Sequence, residues 1–396
     1  MFSKAFIPYG GYYSSPFARW QGSLANENSI VLGAETSKRW IANKSWDAKS
    51  FDYVIFGITI GQPKVFYASP WAAAMLGAED TPGVTLSQAC STSTTGLYQA
   101  AMALENDYCK NIYALFADRC SNGPHTIWPN PNGPGGQVVS ENWMMEHFNY
   151  DPWGKQAMIQ TAENVAALSG VTREECDQVA LRRYEQYTDA LKDDRAFQKR
   201  YMFPIEVKVS KKKTITFDAD EGIMPTTAEG LAGLRPVLPN GVHTFGAQTH
   251  PADGNCAFVV TGREHAKELS SNPGIEIQII SYGYSRVKKA HMAIAPVPAA
   301  NMALEKAGLK VEDMKAIKTH NPFAANDIYM AKEMNLDVMG FNNYGSSIIF
   351  GHPQAPTAGR CIIEGIEEVA MLGGGYLLFT GCAAGDTGGA MILKVG

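Results

Sequence analysis

The chain has 396 residues, 45% of them hydrophobic and 18% charged, with a net charge of −5 and an isoelectric point near 5.9. That length suits two or three domains with a large core; the acidic balance argues against a general polyanion binder, and no apolar run of about 18 residues offers a membrane span. Seven scattered cysteines with no CxxC pair argue against a disulfide framework or a zinc ribbon and fit a reducing cytoplasm.

The opening MFSKAFIPYGGYYSSPF lacks a long apolar segment and reads as a first strand, not a signal peptide. Phe51–Ile60 is strand-like. The stretch SQACSTSTTGLYQAAMAL, from Ser87 to Leu104, sets Cys90 before small hydroxyl residues and a nearly uncharged helical pattern. Asn111–Ala117 is a second strand, so the order is β, α, β and the sheet is largely parallel and buried. Residues 121–155 are rich in Gly, Pro, Asn and aromatics, which predicts loops and turns. Thr172 is the expected N-cap of an amphipathic helix running through Tyr184. Ile205–Phe217 reads as two strands around the basic turn Lys211–Lys213, a solvated hairpin tip.

The strand and helix order then returns. Gly359–Leu372 is helical in pattern and Gly375–Thr380 is a strand. Thirty residues separate Cys90 from Cys120, and thirty separate His352 from Cys382. Two related α/β halves are therefore expected: residues 1–119 with 243–268, and residues 269–396. Residues 120–242 form an inserted loop domain on the first half.

Four positions suit chemistry. Cys90 precedes a helix N-terminus, whose free N–H groups favour a thiolate, although an isolated buried cysteine is more often an inert apolar group. His352, in Gly351-His-Pro353, mirrors Cys90 in the repeat and is placed to take its proton; a capping histidine is the plainer reading. His320 follows the run Met314–Ile317, where the end of a strand points into the crevice of α/β sites. Cys382 lies in the glycine-rich Thr380–Ala390, whose main-chain N–H groups suit an oxyanion hole or merely a tight hairpin.

With these residues in hand the chain resembles a thiolase, nearly end to end. The resemblance is carried by Pro16–Leu24, Met158–Ala166, Leu234–Pro236, Thr244–Gly254, Pro296–Ala299, Ala303–Gly308, Gly351–Pro353 and the C-terminal cysteine loop. It implies a thiolase fold, two βαβαβαββ halves in an αβαβα layered core. It implies that Cys90 carries the acyl group, that His352 deprotonates it, and that Cys382 moves a proton on or off the α-carbon of an acyl-CoA. His320 and His352 would hold one oxyanion, and the N–H groups of Cys90 and Ala384 the other. Met158 would shape the acyl pocket, Thr249 would lie near the pantetheine arm, and Asn321 and Phe323 would help bind substrate. Coenzyme A would be a substrate, with no resident cofactor or metal, and the assembly a homodimer or homotetramer. A decarboxylating β-ketoacyl synthase and a catalytically silent scaffold are the alternatives.

Some motifs depart from the family pattern. His320-Asn-Pro-Phe323 replaces the commoner Asn-Glu-Ala-Phe and resembles the sterol-carrier-protein type. Gly345-Ser-Ser347 replaces Gly-Gly-Ala, Gln354-Ala-Pro-Thr357 replaces a Leu-Gly-Ala-Thr or Leu-Gly-Ala-Ser segment, and Ala384 replaces glycine. These changes cluster around the acyl pocket and predict a bulky β-keto substrate in place of acetoacetyl-CoA. Within the family the chain looks most like the thiolases of aromatic degradation that cleave 2-benzoylsuccinyl-CoA with a small zinc-ribbon and OB-fold partner subunit. His125, Trp128, Trp143, Phe148, Tyr150 and Trp153 would then line an aryl pocket, unless they simply pack on one another. Arg19 and Arg360 are the candidates to meet a carboxylate.

Overall fold

Apolar runs flanked by glycine and polar turns build an eleven-stranded sheet in two similar parts. The computed structural model describes residues 1–396, the side chain of Val209 excepted. The strands used below are β1 (Phe6–Ile7), β2 (Tyr53–Gly57), β3 (Gly83–Leu86), β4 (Asn111–Arg119), β5 (Ala252–Thr261), β6 (Ile277–Arg286), β7 (Met314–His320), β8 (Gly375–Ala383) and β9 (Thr387–Val395). Their order across the sheet is β7-β8-β9-β6-β1-β5-β4-β2-β3, with Tyr12–Ser14 and Ala18–Arg19 also paired to β5.

Each half repeats one motif. β2 lies parallel to β4, which is antiparallel to β5. In the second half β7 lies parallel to β8, which is antiparallel to β9. β1, only two residues long, joins the halves by pairing antiparallel to both β5 and β6. All ten residues of β5 are buried, as a strand covered on both faces requires.

Helices complete the layers. α1 (Thr92–Glu105) follows β3, and α5 (Thr357–Met371) precedes β8. These two pack on each other between the halves, while Ser29–Asn43 covers one outer face and Pro296–Ala307 the other. Every residue of α5 from Thr357 to Val369 is buried, the signature of a helix enclosed on all sides. It nevertheless carries Arg360, Glu364, Glu367 and Glu368. Arg360 binds Asp220 through two N–H···O contacts of 2.7 and 2.8 Å, bonds Glu364 at 3.0 Å, and stacks 4.0 Å from the Phe350 ring centroid. Lys318 meets Glu364 at 3.1 Å. Such charges survive burial only when paired; removing one partner typically costs about 3–5 kcal/mol.

Between β4 and β5 no strand joins the central sheet. Here lie α2 (Met158–Ser169) and α3 (Arg173–Ala190), which pack on α4 (Ala324–Met334) of the second half. Thr172 caps α3 as the sequence predicts, its hydroxyl taking the Glu175 N–H while Glu175 returns to the Thr172 N–H. The Lys211–Lys213 turn joins the strands Ile205–Ser210 and Lys213–Phe217 and is solvent-exposed. Residues 121–155 are more ordered than composition suggests. His125–Pro129 and Val138–Asn142 form an exposed hairpin, closed by Trp128 Nε1 donating to Glu141 at 2.8 Å, and Trp143–Asn149 is helical. Asn142 caps that helix by accepting from the Met145 N–H.

Candidate active site

The centre of the site is the place where a short turn after β3 meets the loop before α5. Ala89–Ser91 form one 3₁₀ turn that runs into α1, so Cys90 sits at the mouth of a buried helix. Ala89 has a φ of 45°, a left-handed conformation that costs a non-glycine residue about 1–3 kcal/mol. Thr92 locks it: its hydroxyl donates to the Ala89 carbonyl at 2.7 Å and accepts the Gln88 N–H at 2.9 Å. On the opposite side Gly351 has a φ of 86°, and a Cβ there would come within 2.7 Å of the His250 ring and 2.9 Å of the Ala252 side chain. Only glycine lets the chain turn at that point and present His352.

His352 Nε2 lies 3.1 Å from Cys90 Sγ. Its Nδ1 is 2.7 Å from Thr357 Oγ1; when Nδ1–H donates to that hydroxyl, Nε2 is the free base facing the thiol. The His320 ring, at the end of β7, lies 4.1 Å from the His352 ring between centroids. His320 Nδ1 is 2.9 Å from Ser347 Oγ, and its Nε2 is buried without a protein partner. Ser347 Oγ also lies 3.1 Å from Asn321 Oδ1; when its one proton goes to His320 Nδ1 instead, the ring proton sits on Nε2, free for an incoming oxygen. Cys382, near the end of β8, accepts from Asn326 Nδ2 at 3.3 Å. It packs with Phe323, Ala162 and Met292, and Met158 leans on the same cluster. The chain turns just beyond, so that the Ala384 N–H faces toward the Cys90 sulfur and favours its thiolate.

Burial decides the protonation states. It pushes the Cys90 thiol up to about 12, outweighing the downward pull of the Ala384 and Cys90 N–H groups. The expectation that the helix N-terminus yields a thiolate therefore fails in the resting protein, because a partial dipole charge does not compensate for loss of water. Burial also holds His320 down to about 3, and burial with His320 alongside holds His352 well below its ordinary value. Cys382 is pushed well above its ordinary value by burial first, and by the neighbouring Cys90 sulfur, whose thiolate would oppose a second anion. The resting site is thus neutral, thiol beside imidazole. Alkylation of Cys90 by iodoacetamide should then rise about tenfold per pH unit between pH 7 and 10, following the thiolate. A rate that stays level over that range would mean that the ion pair already exists.

A cavity of about 500 Å³ opens beside this centre, its inner end lined by Ala89, Gln354, Ala384 and Gly385, which neighbour Cys90 and His352. Its outer wall includes Trp143, Phe148, Tyr150, Trp153 and Met158. Four of the six aromatic positions named from sequence therefore line it; His125 and Trp128 lie on the exposed hairpin instead. Thr249, Asn321 and Phe323 are not on that wall. Thr249 ties its N–H to the Pro322 carbonyl at 2.8 Å, and the Asn321 amide is spent on Asp327, Ser347 and the Ile348 N–H. Arg360 is enclosed in its ion pairs and turns away from any substrate carboxylate.

Several residues that pattern reading missed hold the site together. Asp118, at the end of β4, accepts from the Thr59 and Ile60 N–H groups, the Thr59 hydroxyl and the Ala355 N–H. It thereby pins the cavity wall to the loop that carries His352; burial pushes its carboxyl up to about 7 against those four donors. Ser347 and Gln354 were visible only as departures from a motif, Thr357 only as the unchanged end of one, and Asn326 gave no signal at all. The donor atoms of Cys90, His320 and His352 lie within 4.8 Å of one another. Such a set can also grip a soft divalent cation, which would occupy the thiol and the base together.

Comparison with known proteins agrees with this geometry. The thiolase N-terminal domain model matches residues 11–264 and the thiolase C-terminal domain model matches residues 275–395. The chain is 33% identical to the mitochondrial 3-ketoacyl-CoA thiolase of Rattus norvegicus over 386 residues, 96% of each chain. Its fold superimposes on the acetyl-CoA acetyltransferase of Bacillus anthracis with a TM-score of 0.91 and 26% identity, covering 100% of this chain and 99% of that one. Human mitochondrial 3-ketoacyl-CoA thiolase in complex with CoA follows at 0.89 and 26%, covering 99% and 98%. Matched in both domains and in fold, the chain belongs to the thiolase family of acyltransferases.

Proposed function

We propose that the protein cleaves a β-ketoacyl-CoA with coenzyme A, or condenses two acyl-CoA molecules in reverse, through an acyl group carried on Cys90. The observation that carries this reading is the 3.1 Å contact between Cys90 Sγ and His352 Nε2 at the end of an open cavity. In cleavage, His352 takes the thiol proton as the sulfur attacks the β-carbonyl, and the Cys90 and Ala384 N–H groups receive the oxyanion. The carbon–carbon bond breaks, electrons pass to the thioester oxygen held by His320 and His352, and Cys382 gives its proton to the α-carbon. The Cys382 thiolate then deprotonates the incoming coenzyme A, which takes the acyl group. His352 returns its proton to Cys90. Residues 120–242 act as an inserted loop domain that supplies the cavity wall.

The substrate we infer is bulky and aroyl-substituted, of the 2-benzoylsuccinyl-CoA kind. The aromatic wall and the volume of the cavity support it; a small acetoacetyl group would leave most of that wall untouched. We further propose a homodimer or homotetramer, for which the edge strand β3 offers unpaired backbone groups, and a small zinc-ribbon and OB-fold partner subunit. The test is CoA-dependent cleavage of acetoacetyl-CoA, 3-ketooctanoyl-CoA and 2-benzoylsuccinyl-CoA, with and without a co-purified partner. The expected result is a kcat/KM for the aroyl ester at least tenfold above the other two. Preference for acetoacetyl-CoA would make the protein an ordinary acetoacetyl-CoA thiolase.

A further inference from the structure

Gln354 stands where the family pattern sets leucine, and its amide is the one polar side chain apart from His352 within hydrogen-bonding distance of the Cys90 sulfur. The Cys90 thiol lies 3.4 Å from Gln354 Oε1 and 3.1 Å from His352 Nε2. One S–H proton thus faces two acceptors, so in the resting site one acceptor is surplus. The amide is also expensive to keep. Gln354 is 4% exposed, its Nε2 is buried with no partner, and its backbone adopts a left-handed φ of 64°. An orphaned buried donor and a strained backbone both lower stability, and leucine would remove the first. The loop beneath it is nevertheless fixed, by the Ala355 N–H on Asp118 at 2.8 Å and the Thr357 N–H on the Gln354 carbonyl at 3.2 Å. Gln354 Oε1 and His352 Nε2 converge on the same sulfur, and the Gln354 side chain favours the protonated form of His352.

The reaction sequence shows where a second acceptor is needed. Once Cys90 is acylated, its former proton resides on His352 Nε2 until the acyl group leaves. A thioester sulfur is a weak acceptor, so whenever no ester oxygen lies against His352 the imidazolium N–H has lost its partner in a dry site. We propose that Gln354 is a further catalytic residue, whose Oε1 receives the His352 Nε2–H in the acyl-enzyme between departure of one ester and arrival of the next and keeps the proton ready for return to Cys90. No atom is added: one proton moves from sulfur to nitrogen on acylation and back on release, and Gln354 only accepts a hydrogen bond. The inference rests on the reading of Cys90 as the acylated thiol and His352 as its base.

The test measures release of the acyl group to coenzyme A as a function of pH, from acyl-enzyme prepared with acetoacetyl-CoA or with the fastest of the three esters above. Release requires protonated His352, so its rate falls on an alkaline limb. In Gln354→Leu and in Gln354→Met that limb should move to lower pH by about one to two units, and acylation should slow about ten- to a hundredfold. Gln354→Glu, which keeps an acceptor at the same place, should move the limb to higher pH. Limbs that superimpose on the wild type in Leu and Met, whatever the change in rate, would overturn the proposal. Failure of intact-protein mass spectrometry to find any acyl group on Cys90 of the wild type would instead sink the reading beneath it. Melting curves identify a variant that fails to fold, and the remaining substitutions then carry the test.

Discussion

Cys90→Ala should lower cleavage of any β-ketoacyl-CoA by about 10⁴-fold or more and abolish the covalent acyl-enzyme. The reason is geometric. Only this thiol combines an imidazole nitrogen at 3.1 Å with the Ala384 N–H at its sulfur. Cys120, thirty residues on, has no such base; its S–H meets the His352 carbonyl at 3.7 Å, and burial with two nearby carboxylates holds it protonated. His352→Ala should cost about 10²–10⁴-fold, the usual worth of a positioned base, because a thiol held up to about 12 by burial cannot ionise unaided near neutral pH. The double variant should be no worse than Cys90→Ala alone, since a base without its nucleophile has nothing to act on. Initial rates and intact-protein mass after mixing with substrate give both readouts. Costs that simply add in the double variant would mean that the two residues do separate jobs.

The parts legible in the sequence were those set by local pattern. Asn111–Ala117 announces a buried strand by unbroken apolar character, and it extends to Arg119 in the structure. Thr172 announces a cap because Glu175 follows at the spacing that closes the box. The four candidate side chains stood out in the sequence for local reasons: a helix start after small hydroxyl residues for Cys90, glycine and proline turns for His320, His352 and Cys382, and the repeat of the halves. What stayed hidden depends on contacts between distant residues. Ser347 meets His320 across 27 positions and Gln354 meets Cys90 across 264; each looked like a mere change of motif until the fold closed. Ala89 gave no warning of its left-handed turn, since alanine is not the residue that conformation prefers. The charge state of Cys90 was misread for the same cause. A helix dipole is visible in sequence order, whereas complete burial is a property of the whole fold.

Cys382→Ala separates the two halves of the chemistry. Burial above all keeps the Cys382 thiol protonated, and Asn326 Nδ2 donates to its sulfur at 3.3 Å. On the proposed reading it is an acid in cleavage, supplying the proton that the departing α-carbon needs, and in condensation its conjugate base removes one. Without it, cleavage and condensation should both fall by about 10³–10⁴-fold, the upper range for a placed acid–base group. Transfer of an acyl group from a simple acyl-CoA onto Cys90 makes no carbon–carbon bond and uses the Cys90–His352 pair. Labelling of Cys90 by acetyl-CoA should therefore persist within about tenfold. Cys382→Ser, whose hydroxyl is a far weaker acid than a thiol, should resemble the alanine variant more than the wild type. A decarboxylating synthase gains its carbanion by loss of carbon dioxide and needs no such proton acceptor. Condensation that survives Cys382→Ala would therefore point to that chemistry. A loss confined to carbon–carbon bond making and breaking ties the second sulfur to the α-carbon.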